Sequence, residues 1–270
     1  MKNSAQSRLA MQGRSGVQGV AAHAFFDDGR PDIGMLMVRE ALRRSDGKGL
    51  LGITNPAMDS VDCGANGLPL YYAYQYTGDR AYWAALQRLA DWLEFSAPRG
   101  ASGQLYHNPG SRKMMIDGIY HILPPLAAAG RAGFAAQQAE LFHRRHYDSK
   151  TGLYRQFWDE DGNSFCRREL WGGGQGWMAG ALALACRLLP PKDGETKKTL
   201  GERLNRLLKA MKNYLREDGR FHDVLDDPST FPEVTASLMM CYTVSQGISA
   251  LLVPAAVKRE PDPVSARVEQ

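Results

Sequence analysis

Two aspartates are placed where a carboxyl group could do acid–base chemistry. Asp117 lies in Lys113-Met-Met-Ile-Asp-Gly-Ile-Tyr120, one carboxylate in an apolar run at the start of a helix. Apolar surroundings disfavour the charged form, so a carboxyl there can stay protonated and act as a general acid. The same position equally suits a helix N-cap. Asp62, in Asp59-Ser-Val-Asp-Cys-Gly-Ala-Asn-Gly-Leu-Pro69, also stands just ahead of a helix, and it too reads as a cap or as one half of an acid/base pair.

Trp171-Gly-Gly-Gly-Gln-Gly-Trp177 is the most unusual segment. Its glycines let backbone approach a ligand or another helix closely, and its tryptophans offer flat faces to sugar rings. It is not a dinucleotide fingerprint, because Trp177 takes the place of the third glycine and no strand precedes it. It also lacks the Gly-Lys-Ser/Thr of a phosphate loop. His107, in a loop with Tyr106 and Asn108, could bond a substrate. His143 and His146 share a helix face but lack an evident third ligand, so no metal is expected. His222, beside Asp226 and Asp227, has no assigned part.

The elements that must position these residues are helical. Leu68–Tyr76 and Tyr82–Phe95 form one pair, joined by Thr77-Gly78-Asp79, where Gly78 suits a left-handed stop and Asp79 an N-cap. Met115–Ala129 with Gly133–His146, and Gln175–Leu189 with Thr199–Leu215, form two more. Residues 32–44 add a helix before them, and Val234–Leu252 begins a fourth pair; no convincing alternating strand pair is present. Segments 54–66, 98–114, 148–174 and 217–233 each precede the first helix of a pair and carry most of the remaining Asp, Gly, His and Trp. Antiparallel pairing gathers such loops at one rim of a helical-hairpin array.

Composition narrows the class. The net charge of +4 is scattered in short pairs such as Arg43-Arg44 and Lys197-Lys198, so no nucleic-acid stripe is formed. No apolar run nears the roughly 20 residues needed to cross a bilayer. The four cysteines lie far apart, and residues 1–18 are polar, which together predict a cytoplasmic protein without disulfides or a secretory leader.

With these segments on the page, the chain resembles the unsaturated glycuronyl hydrolases of glycoside hydrolase families 88 and 105 over roughly residues 52–252. Met-Ile-Asp117-Gly-Ile-Tyr resembles the family's Trp-x-Asp-x-x-Tyr/Phe segment, and Asp62 with the later Tyr76-Thr-Gly-Asp79 matches its second aspartate. Trp171 to Trp177 resembles Trp-x-Arg-Gly-Asn/Gln-x-Trp. Gly219-Arg-Phe-His-Asp-Val-Leu-Asp-Asp-Pro-Ser229 with Glu233-Val-Thr-Ala-Ser237 resembles the late segment. The resemblance implies an all-α fold, an (α/α)6-barrel-like six-hairpin toroid that is incomplete at about eight helices. It would span residues 21–253, between disordered segments at 1–20 and 254–270. It implies Asp117 and Asp62 as catalytic residues and His107, Trp171, Gln175, Trp177, Gln156 and Trp158 as substrate-binding, with no cofactor. The substrate would be an oligosaccharide ending in a 4,5-unsaturated uronic acid, hydrated at its double bond.

Three departures accompany the resemblance. Gly173 stands where the family has an arginine, Met115-Ile116 where it has the first tryptophan, and Gln156 where it often has a histidine. They leave open a pocket retuned for another small molecule, or a degenerate carbohydrate-binding protein. An incomplete ring would also expose apolar helix faces and favour a homo-oligomer.

Overall fold

The computed structural model describes residues 13–55 and 60–249. Nine α-helices lie among them: α1 (Ser15–Asp27), α2 (Pro31–Arg43), α3 (Gly67–Thr77), α4 (Arg80–Asp91), α5 (Gly118–Ala128), α6 (Ala132–His146), α7 (Gly172–Leu188), α8 (Gly194–Lys212) and α9 (Val234–Ser249). The odd-numbered helices form an inner row, in which α5 packs on α3 and α7, α7 on α9, and α1 on α3. Each even-numbered helix lies outside as the hairpin partner of the one before it. The outer helices are amphipathic: α4 buries Tyr82, Ala85, Leu86 and Leu89 at helical spacing, and α8 buries Leu200, Leu204, Leu207 and Met211. Every residue of α5 is buried, as befits the middle of the inner row.

Hairpin chemistry sets the short connections. Gly78 closes α3 with φ 72°, and Asp79 Oδ1 accepts from Ala81 N at 2.8 Å to cap α4.

The expected disordered segment over residues 1–20 is corrected within the described residues, since Ser15–Asp27 is helical. Its buried polar residues find partners. Ser15 Oγ donates to Leu51 O at 2.6 Å, Gln18 Nε2 to Met37 O at 3.0 Å, and Asn66 Nδ2 to Ser15 Oγ at 3.0 Å. The proposed tail at 254–270, and the end of the helix expected to reach Leu252, lie outside the described residues. Several helix starts also differ from expectation. Residues 113–115 form a strand and α5 begins at Gly118, whereas α7 begins at Gly172 and α8 at Gly194.

Short strands, absent from the sequence expectation, stitch the rim. β1 (Lys113–Met115), β4 (Phe157–Asp159) and β5 (Ser164–Arg167) form one antiparallel sheet with β4 central. β2 (Tyr147–Asp148) pairs with β3 (Leu153–Tyr154), and β6 (Phe221–His222) with β7 (Pro232–Glu233). At two to four residues they are too short for alternation to register. They tie the loops before α5, α7 and α9 together: Met114 faces Trp158 across the first sheet, and Trp171 bridges to Val224.

A 3-10 turn, Val61–Asn66, lies directly on α5. The contact is possible only at a glycine, since a Cβ on Gly64 would lie 1.9 Å from the carbonyl oxygen of His121. Gly64→Ala is expected to lower stability by about 1–3 kcal/mol through overpacking. Thermal unfolding followed by circular dichroism checks this, and an unchanged midpoint would refute it.

Candidate active site

A cavity of about 800 Å³ opens at the rim. The loop carrying His107 and Asn108, the 3-10 turn carrying Asp62, and the start of α5 with Asp117 and His121 form one side, with Trp177 of α7 beside them. The α1 face, Arg14, Gly16, Val17, Val20, Ala21 and Ala24, forms the other side. Its size suits a ligand of one or two sugar rings.

Asp62 is the electrostatic centre. Its Oδ1 lies 3.1 Å from Nδ1 of His121 and 3.5 Å from Nε2 of His107, and all three side chains are largely buried. Neither contact aligns as a hydrogen bond, because Asp62 Oδ1 and His121 Nδ1 both lack one in the strict angular sense; the attraction is electrostatic, between the carboxylate and imidazoles that carry charge when protonated. Burial pushes the Asp62 carboxyl up, but the His121 imidazole, His107 and Arg14 together outweigh it and hold it at about 2. Burial likewise opposes the charge on His121, and Asp62, with Asp117 behind it, raises its pKa above the ordinary value of 6.5. Asp62 is therefore ionised near neutral pH. Asp117 sits one turn before His121, half-buried, with its Oδ1 lacking any hydrogen-bond partner among the described residues.

Three of the sequence candidates besides Asp117, namely Asp62, His107 and Trp177, line this cavity; the others do not. Trp177 packs edge-on against Tyr120 at 4.9 Å. Gln175 is fully buried. Its Oε1 accepts from Tyr154 N at 2.8 Å and its Nε2 donates to Tyr154 O at 2.6 Å and Trp171 O at 3.1 Å, so the side chain clamps β3 to α7. Trp171 folds back over its own helix: a Cβ on Gly173 would lie 2.8 Å from the indole. Gln156 offers its carbonyl to Ile116 N at 3.0 Å. Trp158 donates to Glu160 at 2.8 Å under the guanidinium of Arg145. His143 and His146 bond Tyr154 Oη and Arg155 O, and His222 bonds Thr230 O, all within the fold. No group of three potential metal ligands occurs among the described residues.

Sequence reading missed His121 and the α1 wall. His121 was detectable, since it lies four residues after Asp117 and so shares its helix face. The α1 wall was not, because the start of α1 buries Ser15, Gly16, Gln18 and Gly19 in place of an apolar stripe and so does not read as a helix.

Residues 37–260 match the profile described as Glycosyl Hydrolase Family 88. The chain belongs to glycosyl hydrolase family 88. It is 26% identical over 185 residues to the unsaturated rhamnogalacturonyl hydrolase YesR of Bacillus subtilis (strain 168), covering 63% of this chain and 53% of that one. It thus spans about half the length of that curated relative. Among solved structures, a possible member of the GH105 family from Klebsiella pneumoniae superposes with a TM-score of 0.79 at 22% identity, over 95% of this chain and 68% of that one. The unsaturated glucuronyl hydrolase from Bacillus sp. GL1 superposes with a TM-score of 0.66 at 18% identity, over 94% and 71%. These likenesses carry the six-hairpin toroid fold. No described helix is long and apolar enough to cross a membrane.

Two measurements follow from this geometry. The His121 imidazole should titrate above 6.5 by proton NMR and fall back in Asp62→Asn. The sign of the linkage is definite. Asp62 adds stability above pH 4 that is lost as pH falls toward 2, and His121 adds stability below 6.5 that is lost as pH rises through its raised value. Asp62→Asn should flatten both limbs, and a His121 midpoint indifferent to that change would refute the pairing. Gln175→Ala should cost about 1–3 kcal/mol in denaturant unfolding, because it leaves buried backbone groups unpaired; an unchanged unfolding midpoint would contradict the clamp.

Proposed function

We propose that this protein hydrates the C4–C5 double bond of an unsaturated uronic acid at the end of an oligosaccharide. The observation that carries this reading is that two carboxyl groups line one cavity in different surroundings, Asp62 against two imidazoles and Asp117 with an oxygen that has no partner among the described residues. Asp62 is held ionised by His121 and cannot donate a proton near neutral pH. Asp117, whose buried Oδ1 has no hydrogen-bond partner among the described residues, is the carboxyl assigned to proton transfer in this reading.

In the reaction, Asp117 gives its proton to C4 of the vinyl ether, which leaves positive charge shared between C5 and the ring oxygen. Water adds at C5, and its proton returns to the Asp117 carboxylate. The resulting hemiketal opens and releases the rest of the sugar. Ionised Asp62 lends negative charge to the cationic stage and orients the water. Trp177 supplies a flat face for the ring, and His107 a ring nitrogen to its hydroxyls.

A second reading, a pocket retuned for another small molecule, draws on the loss of the motif arginine at Gly173 and on the apolar α1 wall. The two separate in one assay. Lyase-generated oligosaccharides are supplied and the ultraviolet absorbance of their unsaturated uronate is followed. The hydration reading expects that absorbance to fall, and Asp117→Asn to slow the fall by roughly 10²–10⁴-fold with helical circular dichroism intact. A folded wild-type protein that leaves the chromophore untouched favours the retuned pocket, and equal rates in wild type and Asp117→Asn rule out Asp117 as the acid.

A further inference from the structure

An anionic sugar cannot settle beside an ionised Asp62 without a cation of its own. Among the described residues that line the cavity, Arg14 is the one lysine or arginine. The position that carries an arginine in the family motif is Gly173, and the indole of Trp171 fills the space a side chain there would need. Arg14 enters from the opposite wall. It is the N-cap residue of α1, in extended backbone (φ −142°, ψ 155°), and its side chain makes no capping bond. Its guanidinium forms no ion pair with a carboxylate among the described residues, although its charge is felt at Asp62. His121, 8% exposed and raised in pKa by Asp62, adds a positive centre beside Asp62 when protonated.

We propose that Arg14 is the residue that recognises the substrate's carboxylate, replacing from α1 the cation that α7 lacks. A guanidinium offers two parallel N–H donors matched to a carboxylate, which a lone imidazolium cannot. The carboxylate end of the sugar then faces α1, and the double bond lies over Asp117. The inference rests on the hydration reading for the identity of the anion, and on the cavity lining for the residue.

The test compares wild type with Arg14→Gln and Arg14→Lys on an unsaturated uronide and on its carboxyl methyl ester. Arg14→Gln should raise KM for the acid roughly tenfold or more while kcat changes little. Arg14→Lys should restore part of the loss. The methyl ester, having no charge to recognise, should be indifferent to either change. Rising salt should raise the wild-type KM for the acid and leave that of Arg14→Gln nearly flat. An unchanged KM in Arg14→Gln, or an equal rise for acid and ester, would overturn the assignment. If wild type turns over neither compound, the hydration reading fails separately. Calorimetry of the acid with wild type and Arg14→Gln then decides: weaker binding by the variant supports the carboxylate site, and equal or absent binding in both refutes it.

Discussion

The close contact of the Val61–Asn66 turn with α5 is the constraint on which the site depends. At Gly64 a backbone passes so near the His121 carbonyl that no side chain fits between them. That approach brings Asp62 within 3.1 Å of the His121 imidazole, although they lie on different elements. Burying either charge alone would be costly, and burying both together is tolerable only at such short range. The packing of one turn on one helix thus fixes the surroundings of Asp62, on which the roles proposed for it and for Asp117 rest.

Behind the cavity, all five inner helices contribute to two polar clusters that meet where the rings of His23 and Tyr72 stack. His23 of α1 shares its ring nitrogens with Tyr120 of α5 at 2.8 Å and Tyr242 of α9 at 3.3 Å. Tyr242 Oη donates to Asp27 at 2.9 Å, and Tyr72 of α3 bonds Arg187 of α7. These groups satisfy one another's hydrogen bonds. Directional bonds between helices fix their relative rotation more tightly than interchangeable apolar contacts do. Tyr120, which belongs to the His23 cluster, also packs on Trp177, so that cluster's geometry reaches the cavity floor.

Much of this fold could be read in the sequence, because hairpin helices leave a strong periodic record and their connections carry cap and stop residues such as Asp79 and Gly78. The two aspartates were legible for a different reason: each carboxylate interrupts an otherwise apolar or glycine-rich run. What escaped was whatever depended on partners far away in the chain. Ser15 and Gln18 look like surface residues until Leu51 and Met37 are brought to them. Trp171 and Gln175 look like sugar-binding residues until β3 and the glycines of α7 account for them. The rim strands, two to four residues each, carry no period at all.

The bond between Tyr242 and Asp27 joins residues separated by 215 positions, and α1 and α9 meet through it. During synthesis α1 therefore leaves the ribosome long before its last partner exists. The hairpins between them can form from local contacts as they emerge, but the side of α1 that receives Tyr242 must wait for nearly the whole described chain. Contacts of such long range make folding slow, because loop closure is costly before it is rewarded. The cavity wall that α1 supplies is made before the other described helices and is among the last to be secured, so a nascent chain would hold both carboxylates before it held a finished pocket.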